Sequence, residues 1–238
     1  ATKDGALLFP SAIPLTIEAM ETPVAQQQPT QNIPKSDKPK VELFVMSHCP
    51  FGTQAEKGML PVAELLGDKI DFEIKFVSYA MHGEKEVNEQ LRQVCIAQEQ
   101  EDKYFTYLWS FLDSDDYEQA LKYADIDTTK LDSCVAELDK EYKATELLED
   151  ESTWVSGRFP QFNVHKDENL EYSVQGSPTL VINGQQSSAG RDSASYLTAI
   201  CSAFNNTPEE CSELVSSTQP SAGFGLSGTG AASAATCG

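Results

Sequence analysis

No run of about 18 apolar residues occurs in the chain, which excludes a membrane-spanning helix. Basic residues are scarce. Seventeen Lys and Arg stand against 37 Asp and Glu, and the resulting net charge of −20 repels nucleic acid and anionic membrane surfaces alike. Only three histidines are present, none at metal-ligand spacing with Cys or carboxylates, so neither a metal nor another cofactor is expected. Asp113, Asp115 and Asp116 lack the glycine and the closing glutamate of a calcium loop. The acidity therefore reads as solubilising surface charge. Internal repeats are also absent.

What is there is 238 residues, 40% of them apolar, enough for one substantial domain or two small ones. Six cysteines without paired C-x-x-C zinc knuckles point to disulfides and an oxidising compartment. The start at Ala1-Thr2 is what removal of a signal peptide leaves, although trimming would look the same. An extracytoplasmic location, periplasmic, secreted or at the cell surface, is the expectation.

Three regions differ in composition. Residues 1–40 are rich in Pro and carry Gln26-Gln27-Gln28, with no sustained helical or strand period, and read as an arm. Its first part, with Leu7-Leu8-Phe9 and Ile13-Pro14-Leu15, is too apolar for a solvated linker and is expected to dock, whereas 26–40 reads as a spacer. Residues 215–238 are mostly Ser, Gly, Ala and Thr with one aromatic, Phe224, and end in Cys237-Gly238. Such a tail buries too little surface to offset its ordering entropy and is expected to be flexible.

Residues 41–214 alternate between strand and helix patterns. The apolar run 41–46 ends at Ser47-His48-Cys49-Pro50, and helical spacing follows over 53–66. Residues 70–77 alternate as a strand with one solvated face. A helical block of about 84–150 is broken near 113–115 and 125–127. A strand over 179–182 meets Asn183-Gly184, suited to a tight hairpin, and a last amphipathic helix covers 193–204.

A cysteine where a strand hands over to a helix sits beside unpaired backbone N–H groups and the positive end of the helix dipole. Both favour its thiolate, so Cys49 is the candidate nucleophile. Pro50 suits the first helical turn, and His48 offers a cation next door. Against this stands the ordinary role of an apolar-flanked cysteine, a buried structural residue.

Residues 171–184, Glu-Tyr-Ser-Val-Gln-Gly-Ser-Pro-Thr-Leu-Val-Ile-Asn-Gly, resemble the stretch by which thioredoxin-fold proteins enter their third strand. The resemblance implies that Pro178 is cis and faces Cys49, leaving the Ser177 backbone free to pair with an extended peptide. Pro50, Phe51, Ser177 and Thr179 are then the expected peptide contacts. With the helical block between the two halves, the chain is similar to the DsbA-like proteins. The implied fold is α/β, a central mixed sheet flanked by helices, with a helical insertion and two extended arms.

Ala80-Met81-His82-Gly83-Glu84-Lys85-Glu86, with Cys95 nine residues on, also resembles the C-Q-H-G-x-x-E-C signature of the gamma-interferon-inducible lysosomal thiol reductase. His82, Gly83, Glu86 and Cys95 match; Ala80 and Val87 replace the other two cysteines. His82, in a loop before Gly83, is expected to brace backbone more than to handle protons. The similarity runs over about residues 41–211, where a cysteine-closed loop follows the last helix.

The departure lies in Cys49-Pro50-Phe51-Gly52. Family oxidoreductases carry C-x-x-C, whose second thiol releases the substrate, and Gly52 occupies its place. Three options stand open: a monothiol served by an external thiol, a resolving cysteine from elsewhere, or a fold kept after catalysis was lost. Cys201 and Cys211 close a short loop and Cys95 and Cys134 share the insertion, so these are the expected pairs. Cys237, at the end of a tail long enough to reach the site, becomes the candidate resolving or linking partner of Cys49. Two functions follow: thiol–disulfide exchange through Cys49 with protein or peptide thiols, or an inactive thioredoxin-fold subunit that self-associates through residues 1–25 and Cys237.

Overall fold

The computed structural model describes residues 33–226. Chain order is β1 (Lys40–Val45), α1 (Pro50–Leu66), β2 (Asp71–Phe76), α2 (Glu84–Glu99), α3 (Glu101–Ser114), α4 (Tyr117–Tyr123), α5 (Thr128–Tyr142), α6 (Ala144–Glu149), α7 (Lys166–Glu171), β3 (Thr179–Ile182), β4 (Gln185–Ser187) and α8 (Ser193–Cys201). The sheet order is β2-β1-β3-β4. β1 runs parallel to β2, from Lys40 opposite Asp71 to Val45 opposite Phe76, and antiparallel to β3, from Val41 opposite Ile182 to Phe44 opposite Thr179.

Because β1 is paired on both edges and covered on both faces, its five residues from Val41 to Val45 are all buried, which is why it reads as a continuous apolar run. Glu42 interrupts that run at no exposure and is matched by Lys75 of the neighbouring strand, 2.8 Å away, and by Lys40 at 3.0 Å. Lys75 also reaches Glu168 of α7 at 2.9 Å. This pairing explains the one departure from the solvated face expected of β2: Lys75 is buried. Asn183 and Gly184 both take positive φ, 48° and 79°, the two-residue hairpin geometry joining β3 to β4.

The insertion comprises α2 to α6. Asp116 and Asp127 cap α4 and α5, accepting from Gln119 N and from Thr129 and Lys130 N, so the two aspartate-rich breaks are helix starts. Cys95 on α2 is bonded to Cys134 on α5 with a Cα separation of 5.7 Å; Cys201 is bonded to Cys211 at 5.9 Å. Tyr107, Leu108, Phe111 and Leu112 of α3 join α1 and the sheet in a single core.

Two expectations about the arms change. Residues 33–39 are not a solvated spacer: Ile33 packs on the core, Ser36 N donates to Ala203 O (2.9 Å) and Asn205 N to Ser36 O (2.8 Å). The tail is not free through residue 226. Val215 and Phe224 pack on the core, and backbone hydrogen bonds run from Gly223 N to Pro50 O (3.0 Å) and from Gly225 N to Leu112 O (2.9 Å). The low-complexity composition hid this because the tail is held through its backbone. The docking expected of residues 1–25 and the position of Cys237 lie outside the described residues.

Candidate active site around Cys49

Cys49 is the N-cap of α1, with φ −69° and ψ 123°, and Pro50 opens the helix. The first turn of α1 carries no acidic side chain of its own. The loop from β1 into α1 is fixed through every backbone N–H in succession. Met46 N donates to Ser177 Oγ (2.9 Å), Ser47 N to Gln90 Oε1 (3.4 Å), His48 N to Glu86 Oε1 (3.0 Å) and Cys49 N to Met46 O (3.0 Å). Buried donors are thereby all matched, and the cysteine is held by the sheet, the insertion and the loop before β3 together.

The Ser177–Pro178 bond is cis, and Cys49 Sγ lies 3.7 Å from the Ser177 carbonyl oxygen. Pro178 and Thr179 are half-buried; Thr179 Oγ1 donates to Gly176 O (2.8 Å). Cys49 is fully buried in an apolar cluster with Phe44, Met46, Val77 and Val181, ringed by the half-buried Phe51, Tyr79, Met81, Tyr172 and Val174. Phe51 carries the Arg191 guanidinium over its ring at 4.7 Å. None of the described cysteines is a free thiol, Cys49 included. Its expected partner, Cys237, lies outside the described residues.

Gly52 is a steric requirement. A Cβ there would lie 2.7 Å from Ser177 Oγ and 2.8 Å from Met46 O, so any side chain at the position that holds the second cysteine of a C-x-x-C motif forces Ser177 or the Met46 backbone to shift.

His48 is not the cation expected beside the thiol. Burial lowers its pKa to about 4, and Lys85 adds to the effect against the pull of Asp115 and Glu86. The ring faces the insertion: Nδ1 is 3.0 Å from Ser47 Oγ, Nε2 is 3.2 Å from Asp115 Oδ1, and Phe111 and Phe224 pack edge-on against it. Its neutral imidazole is a packing and hydrogen-bonding group.

Glu86 is the residue that explains the His82-Gly83-Glu86 pattern. Fully buried on α2, it accepts from His48 N, from His82 N (3.1 Å) and from His82 Nδ1 (2.9 Å). Burial pushes its carboxyl up, but the His82 ring and the two backbone donors outweigh that and hold it below the usual range. Gly83, at φ 67°, supplies the left-handed turn that starts α2. One carboxylate thus clamps the Cys49 loop to the insertion. Local pattern marked this residue; it gave no sign of Lys57 or Gln54, two α1 side chains that grip the tail.

Among the described residues no cluster of three or more His, Cys, Asp or Glu has the geometry to hold a metal. No described helix is long and apolar enough to cross a membrane. A cavity of about 620 Å³ lies beside β2, lined by Phe72, Ile74, Val94, Tyr104, Phe105 and His165 among others, and shares none of its lining with the Cys49 site.

No family model matches the chain, and no curated protein does. Solved structures do. Oxidised DsbA from Mycobacterium tuberculosis is 16% identical, with 78% of this chain and 91% of that one aligned at a TM-score of 0.52. Reduced DsbG from the same organism is 14% identical, with 76% and 89% aligned at 0.50. At these identities the likeness concerns architecture: the chain has the thioredoxin-like α/β fold of the DsbA type.

Proposed function

We propose that this protein carries out thiol–disulfide exchange through Cys49 on extended peptide segments of other proteins, outside the cytoplasm. The observation that carries the reading is the juxtaposition of Cys49, at the N-terminus of α1, with the cis Ser177–Pro178 peptide 3.7 Å from its sulfur. A helix N-terminus favours a thiolate leaving group. The half-buried segment at Ser177 offers backbone to a strand laid beside it. The resemblance of His82, Gly83, Glu86 and Cys95 to the thiol reductase signature supports the same chemistry, and the two described disulfides suit an oxidising compartment.

With glycine at position 52, the second sulfur comes from the tail, and Cys237 is the partner this reading assigns. From Leu226 the chain has 11 residues to reach it, a covalent reach of at most about 36–40 Å. A substrate thiolate attacks Cys49 Sγ; the Cys49–Cys237 bond breaks, and Cys237 leaves as a thiolate. A second substrate thiolate then attacks the substrate sulfur of the mixed disulfide and expels the Cys49 thiolate. Two substrate thiols become one disulfide while the protein disulfide becomes two thiols, and the reverse sequence reduces a substrate.

A second reading is favoured by the full burial of Cys49 and by the crowded position 52: a catalytically inactive thioredoxin-fold subunit that self-associates through residues 1–25 and Cys237. Insulin reduction in the presence of glutathione separates the two. Turnover abolished by Cys49→Ala supports exchange; the absence of any Cys49-dependent turnover leaves the scaffold. Non-reducing peptide mapping reports the partner of Cys49, and a bond from Cys49 to any residue other than Cys237 removes the tail from the cycle.

A further inference from the structure

The described part of the tail lies in a cleft whose walls are α1 and α3, and its contacts are those of a bound peptide. Ala194 N donates to Ser216 O (3.0 Å), Gln54 Nε2 to Pro220 O (2.6 Å), and Leu226 N to Asp113 Oδ1 (3.1 Å). Gly223 N and Gly225 N donate in turn to Pro50 O on α1 and Leu112 O on α3. Lys57, only 5% exposed, spends all three ammonium protons on this segment: Ser221 Oγ at 3.1 Å, Gly223 O at 2.7 Å and Gly225 O at 2.9 Å. Between those two carbonyls the Phe224 ring packs edge-on against Phe111 (5.3 Å between centroids) and His48 (5.7 Å). Gly223 and Gly225 have φ of 78° and 98°, a backbone path that disfavours side chains on both sides of the aromatic residue.

We propose that this cleft is a peptide-recognition site for a bent Gly-Phe-Gly segment, occupied in the resting protein by residues 219–226 of the same chain. The reason to regard it as a site, and the tail as its ligand, is Lys57. A buried ammonium on the inner side of a helix needs three acceptors, and here the peptide segment provides all of them. The specificity is likewise divided as in a binding groove: an aromatic slot reads one residue, two positive-φ positions read its neighbours, and backbone donors and acceptors hold the rest. The assignment stands on the groove and does not depend on exchange at Cys49. It does bear on that reading, because the Gly223–Pro50 hydrogen bond lays the occupant on the first turn of the cysteine's helix, and its release uncovers that turn.

The test uses the full chain. Phe224→Ala empties the aromatic slot, and amide hydrogen exchange at residues 223 and 225, slow in the wild type, becomes fast while the melting transition persists. A fluorescein-labelled synthetic peptide matching residues 219–226 then binds the Phe224→Ala protein saturably in anisotropy titrations. It binds the wild type, whose cleft is filled, about tenfold or more weakly. It also binds Lys57→Met/Phe224→Ala about tenfold or more weakly, the scale of losing hydrogen bonds to a charged group. Equal peptide binding to wild type and Phe224→Ala, or no saturation up to millimolar peptide, overturns the site. Sedimentation of the wild type as a dimer that Phe224→Ala dissolves overturns its occupation within one chain.

Discussion

Gly52→Ala is the substitution on which helix propensity and site geometry disagree in sign. Position 52 is inside the first turn of α1, where alanine is favoured over glycine by about 1 kcal/mol. The added Cβ meets Ser177 Oγ at 2.7 Å and Met46 O at 2.8 Å. Ser177 can swing away only by abandoning Met46 N, a donor on a residue 1% exposed, and an orphaned buried N–H costs about 1–3 kcal/mol. The Met46 carbonyl is pinned by Cys49 N, so relief there means a shift of the loop itself, and overpacking of this kind costs about 1–3 kcal/mol. Against the propensity gain the net is a loss of about 1–5 kcal/mol. A loss near the middle, about 3 kcal/mol, lowers Tm by roughly 6–12 °C in a domain of this size. Urea denaturation of wild type, Gly52→Ala, Ser177→Ala and the double variant reads it directly. In the Ser177→Ala background the Met46 donor is already orphaned, so the second substitution costs about 1 kcal/mol less or better, a measurable coupling. A Gly52→Ala protein as stable as the wild type, or more so, refutes the account. It would also reopen position 52 to a cysteine, which carries the same Cβ.

Other outcomes follow from single contacts. Gly58→Ala sets a Cβ against the Arg191 backbone carbonyl and the Tyr196 ring, and a fall in the urea midpoint beyond that of Gly52→Ala is expected because both obstacles are fixed. Glu56 is buried without a hydrogen-bond partner, and burial, with Glu89 beside it, raises its pKa well above the usual value. The folded state therefore keeps a proton that the unfolded state releases above about pH 4.5, so stability falls as pH rises past that point, and the advantage of Glu56→Gln over wild type must grow from pH 4.5 to 8. An advantage independent of pH rejects the protonated carboxyl. His165 runs the other way: burial lowers it to about 4, Phe76 N donates to its Nδ1, and the unfolded chain binds the proton first. Its contribution is complete above about pH 6.5 and is lost towards pH 4 at up to about 1.4 kcal/mol per pH unit, a slope that His165→Asn removes from the urea midpoints. Removing the Cys95–Cys134 bond, which closes a 39-residue separation, costs about 4 kcal/mol by loop entropy, and removing Cys201–Cys211, over 10, costs about 3; equal effects in calorimetry contradict that ordering by loop length.

Much of the fold was legible because its signals are local. The Cys-Pro junction between strand and helix, the Asn-Gly turn, and the aspartates that start α4 and α5 each act within a few residues of themselves. The site was legible to the same depth, as a cysteine at a helix start facing a proline at a strand start. What sequence could not carry were pairings across the chain. Glu42 with Lys75, Glu86 with the Cys49 loop and Lys57 with the tail join residues about 33, 38 and 166 apart, and no periodicity links them. The charge expected of His48 failed for the same reason: Phe111 and Phe224, which bury it, belong to segments far along the chain.

Two of the three acceptors Lys57 grips are backbone carbonyls, which every residue type carries. Over evolutionary time the tail is therefore free to drift in spelling. Exchanges at 219, 220 and 222 leave the carbonyls in place, and selection bears on Ser221, whose hydroxyl is the third acceptor, and on Phe224 and the two glycines beside it. A stretch that looks featureless by composition can in this way keep a fixed address on the surface, and the positions that would betray it in a comparison of related chains are four residues in the tail and one lysine on a distant helix.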